Sequence, residues 1–63
     1  MDWNNIKKFN FTYGIPGGAW LEDSKGNKSW EPFKIIIQKM GEIWLNRQIQ
    51  KQGWMTGCWI EVV

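Results

Sequence analysis

Polar and apolar side chains alternate from Lys7 to Tyr13, so that Phe9, Phe11 and Tyr13 share one face and Lys8, Asn10 and Thr12 the other. A period of two over seven residues predicts a half-buried strand. Gly14-Ile15-Pro16-Gly17-Gly18 ends it, because Gly and Pro supply turn dihedrals that a strand does not use. Ala19 to Glu22 is a second short strand that pairs back as a hairpin. The polar, Gly-containing stretch Asp23 to Lys28 reads as a loop, with Glu22 and Asp23 a solvated pair at its edge.

From Trp30 onward the period lengthens. At roughly 100° per residue, Phe33, Ile36, Ile37, Met40, Ile43 and Trp44 fall within an arc of about 120°, which predicts one amphipathic helix over 31–52. Pro32 suits its first turn, and Ser29 and Glu31 are the candidate caps. Gly53 suits its end, with Trp54 folded back onto Ile49. Gly41 and the run Ile35-Ile36-Ile37 oppose a single helix, so a rival parse ends a short helix near Gly41 and makes 42–50 a strand. The final stretch 54–63 reads as a strand with a bulge at Gly57 and with Cys58 as a small buried residue. The order β-β-α-β predicts an α+β domain spanning 1–63, one long helix packed across a small antiparallel sheet. A small all-β barrel is the alternative.

Ile35, Leu45 and Ile49 form a second apolar stripe, within roughly 80° of one another on the opposite side of that helix. Large aliphatics on that face mean either that the sheet wraps further round the helix or that the stripe docks on a second chain, and these three are the candidate interface of a homodimer. Size points the same way. Sixty-three residues make one domain whose core is thin, and one Cys without any His excludes an internal disulfide and the usual zinc sets. Aromatic packing and oligomerisation remain as sources of stability, and six Trp in so short a chain supply the first.

A formal charge of +2 is too small for non-specific nucleic-acid binding, and no apolar run approaches the length of a membrane span. The acidic, polar opening Met1-Asp2-Trp3-Asn4-Asn5 is unlike an export signal, so a cytoplasmic protein is expected. Catalysis is not expected. There is no His, Cys58 has no base near it in sequence, and no cofactor or metal is implied. Gly14 to Gly17 has the Gly-x-x-Gly spacing that can clamp a nucleic-acid backbone, but a preceding strand and the Ile-Pro centre make it a hairpin loop.

Trp44 and Trp54 are placed by the helix pattern, which leaves other indoles available to anchor a partner. Trp20 and Trp30, flanking the 23–28 loop together with Lys25 and Lys28, are the candidate partner-binding residues. The expected function is that of a small non-catalytic binding protein, an inhibitor or regulator that occupies another protein's surface. Phage and mobile elements encode many such proteins, which gives the setting by analogy. A single-stranded nucleic-acid binder using Lys and Trp is the alternative, and a subunit of a larger assembly the third reading.

Overall fold

The computed structural model describes residues 1–52 and 57–62. A short 3-10 turn, Trp3–Asn5, leads into strands β1 (Ile6–Thr12), β2 (Gly18–Asp23) and β3 (Lys28–Pro32). Helices α1 (Phe33–Met40) and α2 (Glu42–Gln52) follow, and a two-residue strand β4 (Ile60–Glu61) completes the order. The strands pair antiparallel in the order β3-β2-β1-β4, an open sheet with both helices on one face. The α+β class read from the sequence is the observed one, and the barrel is not. The details differ in an added strand, a helix break, and a terminal strand that, among the described residues of 54–63, is only Ile60–Glu61.

Strand β1 follows the predicted alternation from Lys8 to Thr12, but Tyr13, read onto the same face as Phe9 and Phe11, lies past its end and is exposed. Phe9 and Phe11 are fully buried, paired across the sheet with Leu21 and Ala19, which are fully buried as well. A register shift between Ile6 and Lys8 inserts one extra residue, so Lys7 and Lys8 both lie outside while Ile6 returns to the core. This is a β-bulge, and a strict period of two cannot reveal it.

The missed strand is β3. The 23–28 segment is a tight hairpin turn, with Gly26 N–H bonded to Asp23 O at 3.0 Å and Asp23 N–H bonded to Asn27 O at 3.0 Å. Gly26 takes φ +84°, which lets the ladder resume at once, and Ser29-Trp30-Glu31 then pairs with Leu21-Trp20-Ala19. Asp23 is not the solvated turn residue its neighbours suggest. It is 2% exposed, and its carboxylate accepts from the backbone N–H of Lys25 (2.9 Å), Asn27 (3.0 Å) and Asp2 (3.2 Å) and from Asn27 Nδ2 (3.3 Å). Burial alone would raise its pKa, but these bonds to the charged form outweigh burial and hold it below the ordinary carboxylate value.

Neither Ser29 nor Glu31 caps the helix. Pro32 ends β3 and stands at the N-cap, and the Phe33 N–H reaches back to Gly17 O at 3.4 Å. The predicted single helix is two. Gly41 adopts φ +95°, ψ 153°, a region open to glycine almost alone, and its N–H closes α1 on Ile37 O at 2.9 Å. Its own carbonyl then accepts the Leu45 N–H at 3.2 Å, so the same residue opens α2. Each of the two parses is half right: the chain breaks at Gly41, and 42–50 is nonetheless helical.

The break resets the phase of the buried face. Ile36 is fully buried and Leu45 is 4% exposed, with Phe33, Met40, Trp44 and Ile49 packed around them. Ile37 and Ile43, assigned to the core by a continuous helix, are 41% and 78% exposed. Trp3, Ile60 and Val62 close the rest of the core. Lys51 Nζ donates to Glu61 O at 2.6 Å and ties the end of α2 to β4. Cys58 is exposed and precedes β4, so its reading as a buried strand residue does not hold. Gly57, the expected bulge, has φ +80° in a bend outside the strand. Gly53 and Trp54, with the expected helix stop, lie outside the described residues. Among the described residues no helix is long and apolar enough to cross a membrane.

Candidate functional site

Directly paired residues of a sheet share a face, so the register that puts Phe9, Phe11, Ala19 and Leu21 under the helices puts their sequence neighbours on the uncovered side. Two rows run across that side. One is charged: Glu61 on β4 pairs with Lys8 on β1, Lys8 with Glu22 on β2, and Glu22 with Lys28 on β3. Its signs alternate from edge to edge, and its two lysines balance its two glutamates. Lys28 Nζ lies 3.9 Å from Glu22 Oε1.

The other row is aromatic. Asn10 pairs with Trp20, and Trp20 with Trp30. Trp59, just before β4, comes in from the opposite edge, and its ring centroid is 5.6 Å from Lys28 Nζ. Four strands span roughly 14 Å, so the Lys28 and Trp59 side chains must reach toward each other over the middle of the face. Such a cation over an indole is worth about 0.5–1 kcal/mol where water reaches it. Trp20 and Trp59 remain 42% and 39% exposed. Asn10 Oδ1 is shut off from solvent and, among the described residues, accepts no hydrogen bond.

Trp30 is fixed differently. Its Nε1–H donates to Thr12 Oγ1 at 3.1 Å, and Thr12 Oγ1–H donates in turn to Gly18 O at 3.3 Å. The indole therefore crosses β2 where β2 has no side chain. A Cβ on Gly18 would stand 2.6 Å from Trp30 Cζ2, so glycine is what admits the ring. One polar tip is satisfied and the ring is half-buried, which makes Trp30 a fixed wall beside the freer Trp20.

Of the candidates read from the sequence, Trp20, Trp30 and Lys28 stand together on this face, brought there by β2–β3 pairing rather than by a loop between them. Lys25 does not join them in the strand rows. It lies in the turn, exposed, with its backbone N–H on Asp23 Oδ1. Trp59, Lys8, Glu22 and Glu61 are not among those four candidates. The alternation of Lys8, Asn10 and Thr12 and a terminal strand within 54–63 were visible, but their neighbours across the sheet depend on β3, which the pattern did not register, and on the register of all four strands.

The Ile35, Leu45, Ile49 stripe is not a common face. It was built on an unbroken helix, whereas Gly41 puts Ile35 on α1 and the other two on α2, where Leu45 belongs to the chain's own core and Ile49 packs against it. Among the described residues, no cluster of three or more His, Cys, Asp or Glu side chains could hold a metal ion. The chain matches no protein-family model, no curated protein and no solved structure.

Proposed function

We propose that this is a small non-catalytic binding protein that regulates or inhibits another protein by occupying its surface with the open sheet face. Exposed indoles gathered on a rigid sheet, with a polar row beside them, match the anatomy of a protein interface: aromatic anchors within a polar surround. The single observation that carries the reading is the pair Trp20 and Trp59, each about two-fifths exposed on the side away from α1 and α2.

Charge favours a protein over a nucleic-acid strand. Lys8 stands between Glu61 and Glu22, and Lys28 beside Glu22, so the row offers phosphates no net attraction. Base stacking on the indoles would have to act without the electrostatic term that dominates nucleic-acid affinity.

The test uses Trp20→Ala and Trp59→Ala chains whose folding is verified by circular dichroism. Against the protein that the wild-type chain retains from lysate, loss of a hot-spot anchor should cost about 2 kcal/mol, roughly a 30-fold weaker Kd. Equal affinity in both variants refutes the reading. Submicromolar binding to a single-stranded oligonucleotide, lost on Lys28→Glu, would favour the nucleic-acid alternative instead.

A further inference from the structure

We infer that the open sheet face also binds a second copy of this chain, the two sheets packed face to face about a twofold axis that runs parallel to the strands between β1 and β2. The inference rests on the proposed role of that face as a binding surface, and it names an occupant for it. Symmetry and charge together select this geometry. Rotation about an axis parallel to the strands leaves position along the strands unchanged, so the charged row falls on the charged row and the aromatic row on the aromatic row. Position across the sheet is reversed. Glu61, Lys8, Glu22 and Lys28 of one protomer then lie over Lys28, Glu22, Lys8 and Glu61 of its partner, and every contact in the row joins opposite charges. Trp20 comes over the shorter Asn10.

The other in-plane twofold does the opposite. An axis running across the strands along the charged row sets each strand over itself, with Lys8 on Lys8 and Glu22 on Glu22. Like charges juxtaposed in an interface are strongly unfavourable, so the register selects one dimer geometry rather than simply permitting contact. Two sheets packed in this way would form a sandwich with the helices on its outer sides, about 10 Å between the sheets. Self-association would also regulate the site, since a target protein must displace the partner copy from the same indoles.

Charge reversal tests this geometry. Wild-type chain should run at about twice its monomer mass in sedimentation equilibrium at 100 µM. Lys8→Glu brings a new carboxylate against the partner's Glu22, and Glu22→Lys brings a new ammonium group against the partner's Lys8. Each variant alone should therefore dissociate with a Kd at least tenfold higher. An equimolar mixture of the two should recover a dimer. In the mixed pair the introduced carboxylate faces the introduced ammonium group, and the unaltered Glu22 of one chain faces the unaltered Lys8 of the other.

Lys8→Glu mixed with Glu61→Lys has the same net charges but the wrong partners, and should remain monomeric. Circular dichroism establishes that each variant is folded, and Lys28→Glu with Glu61→Lys is an independent rescuing pair should either inner variant unfold. A monomeric wild type, a dimer indifferent to these changes, or recovery in the mismatched mixture overturns the proposal. A monomeric chain that still loses its target on Trp20→Ala overturns self-association alone and leaves the proposed function standing.

Discussion

Replacing Gly18 by Ala adds one methyl group at the point where β2, β3 and the Trp30 indole meet. The new Cβ would overlap the Glu31 carbonyl oxygen and stand 2.6 and 2.9 Å from Cζ2 and Cε2 of Trp30. A side chain could swing away, but the carbonyl belongs to the paired strand, so β3 itself must shift. Overpacking of this kind costs about 1–3 kcal/mol. Displacing the indole also strains its hydrogen bond to Thr12, worth about 1 kcal/mol, while the lower chain entropy of unfolded Ala returns roughly 0.4–1 kcal/mol.

The expected net loss for Gly18→Ala is about 2 kcal/mol, which in a domain this small lowers Tm by roughly 8–16 °C. Gly14→Ala is the control. Nothing lies within 4 Å of its Cβ, so it should change stability by less than about 0.5 kcal/mol or raise it slightly. Thermal and urea unfolding followed by circular dichroism measure both. Equal stability of Gly18→Ala and Gly14→Ala would refute the claim that the bare backbone of β2 exists to seat Trp30.

The two-helix phase predicts a contrast that a single helix reverses: Leu45→Ala should cost about 2–5 kcal/mol, whereas Ile43→Ser, on a side chain 78% exposed, should stay within about 0.5 kcal/mol in the same unfolding assay. Asp23→Asn should lower Tm at neutral pH, because an amide cannot accept all four bonds that the carboxylate receives. Since the Asp23 pKa is depressed in the folded state, its contribution is complete above the unfolded value of about 4 and is lost as pH falls through the folded one. The Tm difference from wild type should therefore narrow below about pH 4, and a constant gap down to pH 2 would contradict the assignment.

The strand pattern at Phe9 and Phe11 was legible because a half-buried strand writes its alternation into the sequence, and the helical period from Phe33 to Met40 was legible for the same reason. What failed was continuity. Gly41 is visible as a weak helix residue, but only its backbone angles show that it resets the phase, sending Ile43 outward and Leu45 inward. Strand β3 was hidden because Ser, Trp and Glu beside a Pro carry no period of two, and its existence depends on pairing with β2 rather than on local preference. The candidate site inherits this limit. Trp20 and Trp30 were noticed for being aromatic near a loop, while the alternating charges beside them exist as a row only once four strands are in register.

The short length of β4 bears on how the native protein opens. Two paired residues, the Val62 N–H on Lys7 O at 2.9 Å and the Lys51 ammonium on Glu61 O hold this edge, against five to seven residues in each other strand. Excursions in which β4 lifts off should be the lowest-energy partial unfolding of the sheet, seen as fast amide exchange at Val62 and Phe9 while Trp20 and Leu21 stay protected. Each such excursion would carry Trp59 away from Lys28 and bare the backbone of β1. An uncovered strand edge is a template for runaway pairing, and the bulge that turns both Lys7 and Lys8 outward puts two positive charges where another chain would have to add. The irregularity that spoils the alternation at the start of β1 thus doubles as protection against aggregation at the sheet's weakest margin.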